Sequence, residues 1–168
     1  MLTLLARGVF TSAAISLIAV PALAEGIHSG SWTSQITKQE ARPLGSPEHL
    51  LVAQVMQGTN KSTGSDPKLD GAQVLFSETV ELKQGNGPQH GLISMVDAKG
   101  SHTAEYTGKI TTTMVDGQPR TGGEGTWKGV SGTGAYVDDK GTGTYRFTMT
   151  SPTDVKGEWK ENTKSASR

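Results

Sequence analysis

The stretch GGEGTWKGVSGTGAYVDDKGTGTYRF, residues 122–147, decides the fold because it repeats Gly-x-Gly-x-aromatic three times at nine-residue intervals. The three units are GEGTW at 123–127, GTGAY at 132–136 and GTGTY at 141–145. Residues two apart share one face of a strand, so both glycines and the ring of each unit point the same way. Glycine weakens an ordinary strand, so the repeat indicates a sheet that coils tightly or closes, with rings over neighbouring glycines.

Two other glycine-rich structures fit this repeat poorly. A calcium-binding β-roll also repeats every nine residues, but Trp127, Tyr136 and Tyr145 occupy the positions where it needs aspartate ligands. A dinucleotide-binding loop needs a helix directly after its glycines, and no helical pattern follows here. We therefore interpret the repeat as a feature of architecture rather than of chemistry.

Alternating apolar and polar residues continue through most of the chain, whereas helical periodicity is nearly absent after residue 24. Many short strands with glycine-rich turns and no crossover helices are typical of an antiparallel sandwich or a closed barrel. Asp116-Gly117 and Lys140-Gly141 are predicted hairpin turns. The eight predicted strands are 30–40, 49–60, 72–83, 90–98, 101–115, 122–130, 133–137 together with 141–150, and 154–161.

The N-terminus has the three parts of a secretory signal peptide. Arg7 supplies a positive charge, residues 9–20 are mostly apolar or small, and an A-x-A cleavage site follows at 22–24. The apolar run is shorter than the roughly 20 residues that a membrane-spanning helix needs. We therefore expect cleavage after Ala24, no membrane span, and a periplasmic or secreted bacterial protein.

Composition limits the classes of partner. The chain has 16 Lys and Arg against 16 Asp and Glu, and a surface without excess positive charge argues against nucleic acid as a partner. It has no cysteine, so disulfides cannot replace a core. Its 22 glycines among 168 residues are nearly twice the ordinary share of about 7%.

The stretch EGTWKGVSGTGAYVDDKGTGTYRF, residues 124–147, resembles the C-terminal half of allene oxide cyclase-like and dirigent-like barrels. Those families share a G-x-W/F-x-G-x-x-G-x-G-x-Y/F pattern followed by a strand that ends in a glycine–aromatic pair, and the resemblance covers residues 122–161. It implies an all-β, antiparallel eight-stranded barrel of calycin-like or allene oxide cyclase-like type around an apolar cavity. It also implies a protein that functions without a metal or organic cofactor. It further implies a homo-oligomer, either a trimer or a dimer.

Glu78 interrupts the apolar face of the third predicted strand, whose other members are Val74, Phe76, Val80 and Leu82. A carboxylate inside a barrel would be desolvated, and its pKa would rise. Such a group suits a general acid or base, or an anchor for a ligand hydroxyl. The alternative interpretation is that a β-bulge turns Glu78 outward, or that it pairs with an interior arginine or a backbone donor.

His102 and Tyr106 share the apolar face of the longest predicted strand, where they can hydrogen-bond a ligand if that face lines a cavity. The alternative is a histidine at the rim and a core tyrosine whose hydroxyl has a protein partner. Further candidate contacts, which can equally be simple core residues, are Phe76, Trp32 and Trp127.

No catalytic or metal-binding signature accompanies these candidates. The histidines show no metal-ligand spacing, the sequence has no G-x-S-x-G motif, and no Ser-His-Asp set can be assigned from spacing. We therefore expect a β-barrel domain at 25–162, after a signal peptide at 1–24 and before a flexible tail at 163–168.

The expected function is binding of a small apolar or amphipathic ligand in the barrel without a cofactor. One alternative is a cofactor-free cyclase or isomerase that uses Glu78 as its acid or base. The other is a structural or protein-interaction module of the cell envelope.

Overall fold

A computed structural model describes residues 28–64 and 67–162, which form eight antiparallel strands closed into one barrel. Each strand pairs with the next along the chain, and the last pairs with the first. The predicted all-β, eight-stranded barrel is therefore confirmed. The predicted signal peptide at 1–24 and the predicted tail at 163–168 lie outside the described residues. The strands are β1 (Ser29–Pro43), β2 (His49–Thr63), β3 (Gln73–Lys83), β4 (Gly87–Asp97), β5 (Gly100–Val115), β6 (Gln118–Gly134), β7 (Thr142–Met149) and β8 (Asp154–Glu161).

The region of the glycine repeat differs from the prediction in where its strands begin and end. β6 is longer than expected, because the tight turn at Asp116-Gly117 starts a β5–β6 pairing that runs on to Gly134. Both turn residues have positive φ, 50° and 73°, as a two-residue hairpin of matching twist requires. Residues 133 and 134 belong to β6, and Tyr136 lies in the loop 135–141 that connects β6 to β7. The separate strand predicted from residue 133 to 137 and the hairpin turn predicted at Lys140-Gly141 are therefore wrong.

The alternation of buried and exposed residues along each strand shows which side chains point into the barrel. In β3, every second residue from Val74 to Val80 is buried while the residues between them are exposed, so Glu78 does face inward with its apolar neighbours. In β5, His102, Ala104, Tyr106 and Ile110 are buried in the same alternation, with Gly108 half-buried between the last two. Met114 continues the same alternation along β5, but it is 67% exposed because the end of β5 extends past the core.

Aromatic rings inside the barrel lie against glycines of neighbouring strands. A Cβ placed on Gly143 would come within 2.5 Å of the Trp127 ring, and one on Gly108 within 2.2 Å of the Tyr145 hydroxyl. The predicted packing of rings over glycines is thus confirmed for these two units of the repeat. The same arrangement holds for the pairs Trp32 on Gly157, Trp159 on Gly30, and Phe147 on Gly123.

The two ends of the barrel are built differently. At the loop end, formed by residues 67–72 and 135–141, Leu69 and Tyr136 are both buried in the core cluster. The Trp159 indole N–H donates to the Asn60 side chain, whose amide donates to the Leu69 carbonyl, each at 2.9 Å. These contacts fold the first loop over its end of the barrel. At the turn end, short connections follow β1, β3, β5 and β7.

The close ring–glycine contacts predict a large cost for adding one methyl group. In Gly143→Ala the new Cβ would meet the Trp127 ring and also the Lys160 carbonyl oxygen at 2.0 Å. We expect a loss of about 3 kcal/mol in the free energy of unfolding, near the top of the range for overpacking. Urea denaturation monitored by circular dichroism measures it.

Gly45→Ala is the matched control. Gly45 has a φ of 83° but open space around it, so alanine there costs only the backbone strain of about 1 kcal/mol. Equal losses in the two variants would contradict the role given to the ring–glycine contacts.

Candidate functional site

Glu78 lies inside the barrel, halfway along β3, and is only 5% exposed. Its carboxylate accepts three side-chain hydrogen bonds. The Gln54 amide of β2 donates to Oε1, while the Gln89 amide of β4 donates to Oε2 at 3.1 Å and the Tyr106 hydroxyl of β5 donates to Oε2 at 2.7 Å. Four consecutive strands thus contribute to one polar cluster, which we call the Glu78 cluster: Glu78, Gln54, Gln89 and Tyr106.

The register of β3, β4 and β5 makes the Tyr106–Glu78 contact possible. Gly91 lies between the two residues, directly opposite Glu78 on one side and Tyr106 on the other. A Cβ on Gly91 would lie 2.7 Å from both the Glu78 Cβ and the Tyr106 hydroxyl. The absence of a side chain at this position therefore lets the tyrosine reach across a whole strand.

Burial dominates the electrostatics of the cluster. It raises the pKa of the Glu78 carboxyl above its ordinary value of 4.5, against the smaller lowering effects of the hydrogen bonds from Tyr106, Gln54 and Gln89. Burial followed by the charge of Glu78 also raises the pKa of the Tyr106 and Tyr145 hydroxyls. Within residues 28–64 and 67–162, none of the ion pairs involves Glu78. Its charge is therefore balanced only by neutral donors.

Four aromatic rings form a continuous wall beside the cluster. The ring centroids lie 5.7 Å apart for Trp32 and Phe76, 6.1 Å for Phe76 and Tyr106, and 5.5 Å for Tyr106 and Tyr145. The last two pairs meet edge to face. Of the residues predicted for the site, Glu78, Tyr106, Phe76 and Trp32 are thus brought together.

His102 and Trp127, which were also predicted for the site, form a separate pair nearer the loop end. Their ring centroids lie 6.5 Å apart, and a second contact of 6.3 Å joins Trp127 to Trp159. His102 is four residues from Tyr106 on the same strand face, which corresponds to about 13 Å along the strand. Both residues line the interior, but neither contacts the Glu78 carboxylate.

A cavity of about 360 Å³ runs through the barrel past both groups of side chains. Its wall is mostly apolar and aromatic. Four buried polar atoms in that wall have no hydrogen-bond partner among the described residues: Gln89 Oε1, His102 Nε2, Trp127 Nε1 and Tyr145 Oη. The interior therefore combines open space with unused hydrogen-bonding capacity.

Sequence reasoning missed Gln54 and Gln89. Both carried a detectable signal, because each occupies an inward position of a strand: Gln54 lies between the inward Val52 and Met56. A glutamine on an apolar face needs a partner, as a glutamate does. Three polar residues on the same barrel face, on adjacent strands, could have suggested the cluster.

The described residues contain no group of three His, Asp or Glu side chains arranged to hold a metal ion. Within the same residues, no helix has the length and apolar character to cross a membrane.

The raised pKa of Glu78 predicts a specific dependence of stability on pH. A group whose pKa is raised on folding stabilises the folded state below its unfolded pKa, and this contribution is lost as the pH rises through its folded pKa. Glu78→Gln removes the effect. The variant should therefore gain stability relative to wild type as the pH rises above about 4.5, by at most about 1.4 kcal/mol per pH unit.

Urea denaturation between acidic and neutral pH measures this difference. Glu105→Gln, which removes an exposed carboxylate from the outer face of β5, controls for the loss of one charge. A Glu78→Gln difference that stays constant with pH, or that shrinks as the pH rises, would contradict the burial of an ionisable carboxyl.

No protein-family model and no curated protein matches this sequence. The resemblance to allene oxide cyclase-like and dirigent-like barrels therefore stays a prediction, while the barrel fold that it implied is confirmed.

Proposed function

We propose that this protein binds a small apolar or amphipathic molecule inside its barrel, without a cofactor. The observation that carries the proposal is the cavity of about 360 Å³, whose apolar wall contains buried polar atoms without partners. Ligand sites in proteins have this combination of an apolar lining and a few polar groups that fix orientation.

The size of the cavity supports a ligand rather than a packing defect. Protein interiors contain few voids larger than one water molecule, whose share of liquid volume is about 30 Å³. The barrel cavity is about twelve times that volume. It also lies within the range of about 300–1,000 Å³ that is typical of small-molecule pockets.

The unpartnered atoms support the same conclusion. The great majority of buried side-chain polar atoms have a hydrogen-bond partner, and leaving one without costs about 1–3 kcal/mol. Here four such atoms share one cavity wall. Three of them, Tyr145 Oη, Trp127 Nε1 and His102 Nε2, lie against Gly108, Gly143 and Gly129, so Gln89 Oε1, beside Glu78, is the one that a polar group of a ligand would satisfy.

The turn end is the proposed route of entry. Several apolar lining residues toward that end are half-buried, whereas Leu69 and Tyr136 are buried at the loop end. An ion pair of 3.5 Å between Lys68 and Asp139 also joins the two connections at the loop end. The half-buried lining residues toward the turn end are Ile36, Leu82, Phe147 and Met149.

Cyclase or isomerase activity is the second candidate, favoured by one observation. Glu78 is a buried carboxyl with a raised pKa, and it faces the cavity beside a tyrosine hydroxyl. A buried carboxyl beside a hydroxyl can serve as a general acid or base. If this activity exists, Glu78→Gln would abolish turnover while leaving binding of the same compound largely intact. Equal turnover in the variant would exclude a catalytic role.

Binding can be measured with a brominated octanol, because bromine quenches tryptophan fluorescence on contact. All three tryptophans of the chain, Trp32, Trp127 and Trp159, line the cavity. We expect saturable quenching. Ala104→Leu should weaken binding at least about tenfold, or about 1.4 kcal/mol, because Ala104 lines the cavity and the larger side chain would occupy it.

Ala53→Leu is the matched control, since Ala53 is exposed on the outer face of β2. It should bind as wild type does. Quenching that never saturates, or that Ala104→Leu leaves unchanged while the variant stays folded, would contradict binding inside the barrel.

A further inference from the structure

We infer that the ligand of this cavity is a protonated amine carrying an apolar group, with its ammonium against Glu78 and Gln89 and its apolar part among the interior rings. The inference rests on the proposed function and names its ligand class. Three features of the interior carry it: the charges of the lining, the unused acceptors at the Glu78 cluster, and the aromatic wall.

Charges along the cavity disfavour an anion. The described part of the lining includes three carboxylates, those of Glu78, Asp139 and Glu161, against one lysine and the two histidines His28 and His102. That lysine, Lys68, already pairs with Asp139 at 3.5 Å. A carboxylate or phosphate head would therefore meet charges of its own sign in a low-dielectric interior, where repulsion is strong. A cation would meet the opposite sign at both the Glu78 cluster and Glu161.

The unused hydrogen-bonding capacity beside Glu78 consists of acceptors. Gln54, Gln89 and Tyr106 already donate to the carboxylate. Glu78 Oε1 accepts only the bond from Gln54, so it retains a lone pair. Gln89 Oε1 has no partner among the described residues. Two free acceptors on adjacent side chains match a head group with at least two N–H donors, as an ammonium has.

The rings around the cluster suit a cation as well as an apolar chain. Trp32, Phe76, Tyr106 and Tyr145 form the wall described above. A cation near the faces of desolvated aromatic rings is stabilised by their quadrupoles. The same rings bury an alkyl or aryl group by the hydrophobic effect. A ligand that carries both an ammonium and an apolar group would contact both the Glu78 cluster and the rings.

A bound ammonium would also stabilise the buried carboxylate. Isolated buried charges are costly, and a partner of opposite charge offsets that cost. Among the described residues, Glu78 has only neutral donors as hydrogen-bond partners and takes part in no ion pair. The ligand would supply the missing positive charge. A neutral alcohol fits the acceptors but supplies no charge, and therefore should bind more weakly.

Head groups can be compared on one tail by competition against the brominated octanol. Octylammonium, octanol and octanoate displace the quencher and restore tryptophan fluorescence if they enter the cavity. We expect octylammonium to bind at least about tenfold more tightly than octanol, as a hydrogen-bonded ion pair allows. Octanoate should bind at least about tenfold more weakly than octanol.

The outcomes separate this inference from the proposed function. If octanol competes but octylammonium does no better, or if octanoate binds best, the amine inference is overturned and binding in the barrel stands. If none of the three competes and the brominated octanol itself does not bind saturably, the proposed function fails. This comparison uses the wild-type chain, so it does not depend on any variant that has to fold.

Glu78→Gln then locates the head group. We expect it to weaken octylammonium at least about tenfold and to change octanol by no more than about threefold. The exposed-face variant Glu105→Gln should change neither. An undiminished preference for octylammonium in folded Glu78→Gln would overturn the assignment of Glu78 as the partner of the ammonium.

Discussion

The packing of aromatic rings against glycines of the neighbouring strands is the constraint on which the rest of this structure depends. An eight-stranded barrel has an interior just wide enough for its own side chains to fill. Here several of the largest inward side chains lie over positions that have no side chain, as Trp127 does over Gly143 and Trp32 over Gly157. The rings of Trp32, Phe76, Tyr106 and Tyr145, which come from alternate strands, also pack against one another, and the glycines leave room for them beside a cavity of about 360 Å³.

That cavity determines how the polar residues on the inner face are interpreted. In a filled barrel, Glu78 would be a buried charge surrounded by core. In this barrel it is held by three donors from neighbouring strands and still faces a cavity. Gly91 allows this arrangement, since any side chain there would separate Tyr106 from the carboxylate. The glycines thus shape both the space and the polar site within it.

Alternation in the sequence predicts the direction of side chains within a strand, but it does not predict which residues of different strands lie side by side. Period-two patterns assigned the inward faces of β3 and β5 correctly, including Glu78 and Tyr106, because the side-chain direction of a strand is a local property. Tyr136 was misplaced because the repeat continues through a loop, and spacing alone does not show where pairing stops. The distance between His102 and the Glu78 cluster depends on register across several strands, which no single stretch encodes. Gln54 and Gln89 were missed for the same reason, because their positions beside Glu78 depend on the register of β2, β3 and β4.

We propose that the barrel is hollow because it holds a small molecule. Native mass spectrometry of the protein purified from the cells that produce it, followed by solvent extraction, tests this most directly. If the barrel binds a ligand, the protein should carry a stoichiometric mass adduct that is lost on denaturation, and the extract should contain one compound. Ions of the bare chain alone under gentle conditions, with nothing in the extract, would contradict it.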